Sequence, residues 1–386
     1  MPSLAPHITA LHPNLIREIT EAAWTRQASA QETLVLSIGE PGFEVPMHIR
    51  QAAIDCLIRD ETNYTPNGGI PALREAFAAR LALEQGAVVE PSQIVVTAGA
   101  QQSLHLAMTL VLAPGDEILI PNPGYPTFGI AANLLSAIPV GYPLRPEHGF
   151  QPQVADIEAL ITSKSKALVL NSPSNPLGAV LSAELTAALM ELARKHDLWV
   201  ISDECYEAFT FDVPHVSPAR FDTDDRVLAS WTASKTYAMT GIRIGALLTP
   251  PGLANAVSTA IEATFSCVSS PAQYAALAAL TGPQESVDAA RVHYRANRDA
   301  AESLLRARGL QFLDAQGAFY LWVNVAHASN GDVRTWVHQF LADDGVAVAP
   351  GTAFGSEGEG WVRVALCGDT AELLEGLRRI PAPQSA

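Results

Sequence analysis

The sequence contains few cysteines, no long apolar run and fewer basic than acidic residues. Its 386 residues include four cysteines that form no CxxC pair, which disfavours a zinc ribbon, a redox dithiol and a secreted disulfide scaffold. No run of about 18 apolar residues could cross a bilayer, and the N-terminus lacks the charged and apolar regions of a signal peptide. We therefore predict a cytoplasmic protein with buried, reduced thiols at Cys56, Cys205, Cys267 and Cys367.

The charge balance is acidic. Lysine and arginine number 24 against 40 acidic residues, which gives a formal net charge of −16. Because a phosphate backbone or an anionic membrane attracts a basic face, neither nucleic acid nor a membrane is expected as a partner. The motifs GxxxxGK[ST], HExxH and GxSxG are also missing, which disfavours P-loop NTPases, zincins and α/β-hydrolases.

Apolar strand-like runs alternate with helix-like segments along most of the sequence. The pattern predicts helices over residues 71–85 and 182–196. Near-continuous apolar strands between helices predict an α/β fold whose sheet is covered on both faces. The predicted strands are six short apolar runs, at residues 94–97, 117–121, 167–171, 198–202, 227–231 and 244–249.

The C-terminal part of the sequence has a different pattern. A helix is predicted over residues 290–309, with Arg291, Arg295 and Arg298 on a solvated face. It is followed by a strand at 319–325, a helix at 333–343 and a strand at 361–366. This arrangement predicts a second, smaller α+β domain.

Polar segments follow five of the predicted strands. Ligand sites in α/β sheets lie at the carboxyl ends of the strands, so these segments are the best candidates for a functional site. They are GAQ at 99–101, PGYP at 123–126, NSPSNP at 171–176, DECY at 203–206 and TASK at 232–235.

Lys235 is the central residue of this set. A solvated loop lysine is the ordinary alternative, but the neighbouring polar segments favour a Schiff-base lysine that holds an aldehyde cofactor. Asp203 could also cap the next helix, and NSPSNPLG could be a proline-rich turn. These alternatives stay open for each segment taken alone.

Together, the segments TASKTYAMTGIRIG, NSPSNPLG and DECY resemble those of the class I/II aminotransferases, the fold type I enzymes that use pyridoxal phosphate. The resemblance extends from about Ile38 to Arg363. It implies a mostly parallel seven-stranded sheet flanked by helices in a large domain, residues 48–283. A small domain would comprise residues 284–386, and residues 1–47 would form an N-terminal arm and part of that small domain.

The resemblance implies a role for each candidate cofactor residue. Lys235 would form the Schiff base and move a proton from the substrate Cα, and Asp203 would keep the pyridine nitrogen protonated. Asn175 and Tyr206 would bind the 3-hydroxyl of the cofactor, while Tyr125 would stack on its ring. The phosphate would be held by Gly99, Ala100 and Gln101 at a helix N-terminus, by Thr232, Ser234 and Arg243, and by Tyr64 of the neighbouring subunit in a homodimer.

The resemblance also assigns the substrate contacts. Arg363, an arginine within an apolar strand, would pair with the α-carboxylate, and Gly39 and Asn175 would lie beside it. Some positions depart from the usual pattern: NPLG stands for NPTG, and GIRIG for GWRIG. No catalytic group is lost, but the sequence does not identify the side-chain pocket.

The implied activity is transfer of the amino group of an L-amino acid to a 2-oxo acid by a ping-pong mechanism. The same apparatus also serves β-elimination, as in C–S lyases, cyclisation and decarboxylation, which remain alternatives. A non-catalytic regulator built on this domain is a third possibility. It is disfavoured because only 38 residues precede the segment GEPGF and the chain is acidic.

Overall fold

The computed structural model describes residues 3–9, 15–85 and 88–383. Its strands are β1 (Leu34–Val35), β2 (Ile94–Thr97), β3 (Glu117–Asn122), β4 (Ile138–Pro143), β5 (Ser165–Asn171), β6 (Trp199–Asp203), β7 (Val227–Thr232), β8 (Gly245–Leu248), β9 (Phe312–Leu313), β10 (Tyr320–Asn324), β11 (Val346–Ala347), β12 (Ala349–Pro350) and β13 (Trp361–Ala365).

The helices connect and cover these strands. They are α1 (Pro6–Thr9), α2 (Leu15–Ala28), α3 (Met47–Ile58), α4 (Pro71–Gln85), α5 (Ala100–Val111), α6 (Thr127–Leu134), α7 (Val154–Leu160), α8 (Ala183–Lys195), α9 (Ala233–Thr236), α10 (Ala254–Thr264), α11 (Ser270–Thr281), α12 (Glu285–Ala307), α13 (Ala326–Ser329), α14 (Val333–Asp344) and α15 (Thr370–Arg379).

The largest sheet has seven strands in the order β2-β8-β7-β6-β5-β3-β4. Strand β8 is antiparallel to both of its neighbours, and the remaining pairs are parallel. The inner strands β7 and β8 are buried along their whole length, as the near-continuous apolar runs predict. The predicted α/β fold with a mostly parallel seven-stranded sheet is confirmed.

Strand β4 is the member of this sheet that the six apolar runs did not include. Its sequence, IPVGYP, contains two prolines and a glycine, residues that normally argue against a strand. The strand lies at the edge of the sheet and pairs only with β3. Proline is tolerated there because an edge strand leaves half of its backbone donors unpaired.

A second sheet contains four antiparallel strands in the order β12-β13-β10-β9. Helix α12 packs on α15, and β1 pairs with β11 in a separate two-stranded sheet. Strand β1, near the N-terminus, therefore packs with the C-terminal part of the chain. The boundaries at residues 47 and 283 stay a prediction.

Arg298 corrects one expectation. Arg291 and Arg295 lie on an exposed face of α12, but Arg298 is 7% exposed and its guanidinium donates to Asp212 and to the carbonyl of Ala315. Residues three and four positions apart share one helix face, so the sequence pattern predicts that the three arginines are solvated together. Arg298 is buried instead because Asp212 and a buried carbonyl accept hydrogen bonds from its guanidinium. Three cysteines are buried as predicted, whereas Cys267 is partly exposed, and all four are free.

Candidate active site

A cavity of about 600 Å³ lies between the seven-stranded sheet and the C-terminal sheet. Asp203 ends β6 and Thr232 ends β7, so the large sheet contributes the carboxyl ends of its strands. Tyr320 and Arg363 reach the same cavity from β10 and β13. Of the predicted site residues, those that line it are Gly39, Ala100, Gln101, Tyr125, Asn175, Asp203, Tyr206, Thr232, Ser234, Lys235, Arg243 and Arg363.

Lys235 is held in this cavity on the short helix α9, directly after β7. The Thr232 hydroxyl accepts the backbone N–H of Ser234 and so caps the helix. The Lys235 Nζ donates to the carbonyl of Gly39 at 2.8 Å, and burial lowers the pKa of the amine. A lowered pKa increases the neutral fraction of the amine, which is the nucleophilic form.

Lys235 is also distinct among the lysines of the sequence. The chain has four, and the other three, Lys164, Lys166 and Lys195, are exposed. Lys195 pairs with Glu158 on the surface, and neither residue lines the cavity. The alternative of a solvated loop lysine is therefore wrong for Lys235.

Asp203 is a buried carboxyl at the end of β6. Its side chain accepts the backbone N–H of Cys205 at 3.4 Å, and burial raises the pKa of the carboxyl to about 6. Burial disfavours the charged form, and the nearby Lys235 compensates only in part. A cation placed in the cavity beside Asp203 would lower this pKa and favour the ionised carboxylate.

An anion cradle occupies another wall of the cavity. Gly99, with φ of +82°, precedes the N-terminus of α5, and Arg243 lies against it. A Cβ on residue 99 would lie 2.6 Å from Arg243 Nη2, so glycine permits this close approach. The Thr232 hydroxyl donates to Ser234 at 2.9 Å, and Ser234 accepts from Arg243 at 3.5 Å. Backbone amides, hydroxyls and a guanidinium together suit a phosphate group.

Arg363 is a buried cation with neutral partners. Its Nη1 donates to Asn175 Oδ1 at 2.9 Å and its Nη2 to the carbonyl of Ser37, while its Nε is buried without a partner among the described residues. The guanidinium lies 4.4 Å from the ring centre of Tyr320 and 5.0 Å from that of Phe354. A buried cation that lacks a counter-charge favours an anionic ligand.

The remaining cofactor candidates have polar partners inside the site. The Tyr206 and Tyr320 hydroxyl oxygens are 2.8 Å apart, and burial raises the pKa of Tyr206 well above its usual range. The Tyr125 hydroxyl accepts from Gln101 at 3.3 Å. Tyr64, in contrast, is 89% exposed and does not line the cavity of its own chain. Gly99 contributes through its contact with Arg243.

Within residues 3–9, 15–85 and 88–383, no group of three His, Cys, Asp or Glu side chains is arranged to hold a metal ion. None of the helices described over the same ranges has the length and apolar character needed to cross a bilayer.

Comparison with known proteins identifies the family. Residues 31–380 match the family described as aminotransferase class I and II. The chain belongs to this family. Among relatives, a probable aspartate/prephenate aminotransferase of Aquifex aeolicus is 37% identical over 98% of this chain and 97% of its own length. An arginine–pyruvate transaminase of Pseudomonas aeruginosa is 37% identical over 94% of this chain and 93% of its own.

Solved aminotransferase structures have the same fold. The aspartate aminotransferase of Thermus thermophilus with maleate superposes with a TM-score of 0.93 at 34% identity, over 98% of this chain and 99% of that one. The protein is therefore a fold type I, pyridoxal-phosphate-dependent enzyme that transfers an amino group. Elimination, cyclisation and a non-catalytic role are not favoured by these relatives.

The residues of this aminotransferase fit its cofactor. Pyridoxal phosphate presents an aldehyde, a ring nitrogen, a 3-hydroxyl group and a phosphate. The cavity offers an amine with a lowered pKa, a buried carboxyl group, a phenol beside an amide, and the anion cradle at Gly99 and Arg243. Each group of the cofactor thus has side chains of matching chemistry in one cavity.

Several residues that line the aminotransferase cavity were not predicted from the sequence. Tyr320 lies in the apolar run FYLWV, which reads as core, and no local signal marks its hydroxyl as part of a site. Helix α2 contributes Ile16, Arg17, Thr20 and Trp24. Their positions share one helix face, but only the tertiary fold places that face over the cavity.

Proposed function

We propose that this aminotransferase acts on acidic L-amino acids with a 2-oxo acid as acceptor, and that it works as a cytoplasmic homodimer with shared active sites. The substrate class rests on one observation, which is that Arg17 lines the cavity as a cation in addition to those suited to the cofactor and the α-carboxylate. The names of several relatives, which include aspartate aminotransferases, support the same class.

The cofactor contacts follow from the chemistry of each side chain. Bound pyridoxal phosphate supplies an electron-accepting ring that weakens the bonds at the substrate Cα. Lys235 would hold its aldehyde carbon, Asp203 its ring nitrogen, and Asn175 and Tyr206 its 3-hydroxyl, with Tyr125 against the ring face. The residues proposed for the phosphate are Gly99, Ala100, Gln101, Thr232, Ser234 and Arg243.

The substrate is oriented by groups on the opposite wall. Arg363 would bind the α-carboxylate, with Gly39 and Asn175 beside it, because the guanidinium is buried and lacks a counter-charge. Lys235 Nζ then removes the proton from Cα, for which its lowered pKa is suited. The 2-oxo acid carries the same carboxylate and would use the same contacts in the second half-reaction.

Arg17 is proposed to bind the side-chain carboxylate of the substrate. The described cavity lining contains four cations, of which Lys235, Arg243 and Arg363 have roles above. Arg17 pairs with Glu21 at 3.2 Å, but both side chains are more than 60% exposed, so this ion pair contributes little free energy. The guanidinium is thus available to a carboxylate in the cavity.

Replacing Arg17 tests this substrate class. In Arg17→Gln, we expect kcat/KM for L-aspartate and L-glutamate to fall by about ten- to a hundredfold, because a charged hydrogen bond is lost. The value for L-alanine should stay unchanged. The matched control is Glu21→Gln, which removes the surface partner of Arg17 without changing the cavity lining and should retain activity on acidic substrates.

Two outcomes would contradict the proposal for Arg17. One is an equal loss on L-aspartate and L-alanine in Arg17→Gln, which would mean that the arginine is structural. The other is a native enzyme that prefers L-arginine. Glu40, which lines the same cavity and accepts the Thr240 hydroxyl, would then be the group that selects the side chain.

The homodimer is supported by an exposed apolar face on α3 and the loop after it. A monomeric protein rarely exposes a contiguous patch of large apolar residues, so a second copy of the chain is proposed to cover this face. The exposed residues of α3 are Met47, Ile54, Leu57 and Ile58. Tyr64 follows this helix and is 89% exposed, and the proposed dimer would carry its hydroxyl to the phosphate group in the partner's cavity.

Mixed dimers test whether Tyr64 acts across subunits. We expect Tyr64→Phe to weaken cofactor affinity by about tenfold or more, because a hydrogen bond to phosphate is lost. Tyr64→Phe and Lys235→Ala protomers should be combined and assayed at low cofactor concentration. If Tyr64 acts on the partner's site, each mixed dimer contains one site with a native Lys235 and a native Tyr64, and activity is restored. A mixture that is no more active than its separate components would exclude a shared site.

The proposed cytoplasmic location is supported by the four free cysteines. Unpaired thiols are typical of a reducing compartment. Cell fractionation with an antibody to the chain tests it, and recovery in a membrane or secreted fraction would contradict it.

A further inference from the structure

Tyr320 connects the two ends of the proposed site. It begins β10 and is 1% exposed. Its hydroxyl oxygen lies 2.8 Å from that of Tyr206, and its ring lies under the guanidinium of Arg363 at 4.4 Å. A Cβ on residue 39 would come within 1.9 Å of the Tyr320 hydroxyl, so Gly39 leaves the space that this ring occupies. Tyr320 therefore contacts residues on the cofactor side and on the carboxylate side.

The proposed contact of Tyr206 with the cofactor determines which of the two tyrosines donates the hydrogen bond between them. Each phenol has one proton to donate. If Tyr206 donates its proton to the 3-oxygen of the cofactor, its own oxygen can only accept, and Tyr320 must be the donor. Burial raises the pKa of Tyr206 well above its usual range and that of Tyr320 to about 12, so both phenols keep their protons near neutral pH.

We propose that Tyr320 is a positioning residue, whose hydroxyl donates to Tyr206 and thereby directs the Tyr206 proton to the 3-oxygen of pyridoxal phosphate. Donation from Tyr320 also polarises Tyr206, which makes it a stronger donor because hydrogen bonds in a chain reinforce one another. The inference rests on the proposed role of Tyr206 and adds a residue that acts through it.

The pH titration of the bound cofactor's absorbance is the readout. Donation to the 3-oxygen stabilises its negative charge and so lowers the pH at which the cofactor loses its proton. In Tyr320→Phe, we expect the midpoint of this pH titration to rise by about 0.3–0.5 pH unit. The rise should be smaller than in Tyr206→Phe, because the hydrogen bond from Tyr206 to the cofactor is weakened and not removed. In the double variant, Tyr320→Phe should add no further shift.

Substrate kinetics distinguish positioning from a general structural effect. Tyr320→Phe keeps the ring under Arg363, so KM for the amino acid should stay unchanged while kcat falls. The matched control is Tyr294→Phe, which removes a buried hydroxyl from the same aromatic cluster but not from the cavity lining. It should leave both the midpoint and kcat unchanged.

The outcomes separate this inference from the proposal on which it rests. If Tyr206→Phe leaves the midpoint unmoved, the proposed cofactor role of Tyr206 is wrong. If Tyr206→Phe raises the midpoint but Tyr320→Phe does not, or if the two shifts add in the double variant, Tyr320 does not act through Tyr206. Circular dichroism of each variant shows whether the fold is retained.

Discussion

Replacing Lys235 with alanine is expected to reduce kcat by about 10⁴-fold or more, the upper end of what a single proton-transfer group contributes. The loss is large because one amine is proposed both to hold the cofactor and to move the Cα proton. Its burial and lowered pKa suit it to both tasks. The measurement is steady-state transamination of L-aspartate with a 2-oxo acid, at saturating cofactor.

Covalent attachment provides a second readout for Lys235. Borohydride reduction followed by peptide mass analysis should place the cofactor on the peptide that contains Lys235 in the native enzyme, and on no peptide in Lys235→Ala. Lys195→Ala, which removes an exposed lysine, is the matched control and should behave as the native enzyme. A Lys235→Ala enzyme with a tenth of native activity would overturn the assignment.

Replacing Asp203 with asparagine should reduce kcat by about 10²–10³-fold while raising the stability of the cofactor-free protein. Asparagine has nearly the same size but lacks the negative charge proposed to balance the ring nitrogen. A cofactor analogue methylated on that nitrogen has a permanent positive charge, so it should restore part of the activity. An unchanged kcat would contradict the proposed pairing.

The stability effect depends on pH with a definite sign. Burial raises the pKa of Asp203 from 3.8 to about 6. The folded protein therefore has its full stability below about pH 4, where the carboxyl group is neutral, and it loses stability as the pH rises through 6 and the buried group ionises. At pH 8 the cofactor-free Asp203→Asn protein should be more stable than the native one by up to about 3 kcal/mol. Urea unfolding at pH 8 and pH 5 measures this gap, which should narrow at the lower pH.

The strands that carry the site could be predicted because their local sequence agrees with their environment. Strands such as β5 and β7 are buried along most or all of their length, so their apolar character marks them without any knowledge of the fold. The polar segments after them follow from the general position of ligand sites in α/β sheets. Strand β4 could not be predicted in this way, since its prolines are tolerated only at an edge that the tertiary structure defines.

The missed residues share one physical cause. Tyr320 takes part in the cavity through contacts with Tyr206 and Gly39, which are far away in the sequence, while its own neighbours resemble a core strand. Arg17 contacts Glu21 and Trp24 of its own helix, and it lines the cavity because the tertiary fold places α2 there. Arg298 was assigned to a solvated face because its partners, Asp212 and the carbonyl of Ala315, are not adjacent to it in the sequence. Long-range partners of polar groups are what a single sequence leaves undetermined.

The short segment after β1 has a consequence for the synthesis of the chain. The carbonyls of Ser37, Ile38 and Gly39 accept hydrogen bonds from Arg363, Cys367 and Lys235. At a translation rate of 5–20 residues per second, Cys367 is synthesised on the order of 15–65 s after residue 38. The pocket wall that these residues form can therefore be completed only after the chain has been made as far as Cys367.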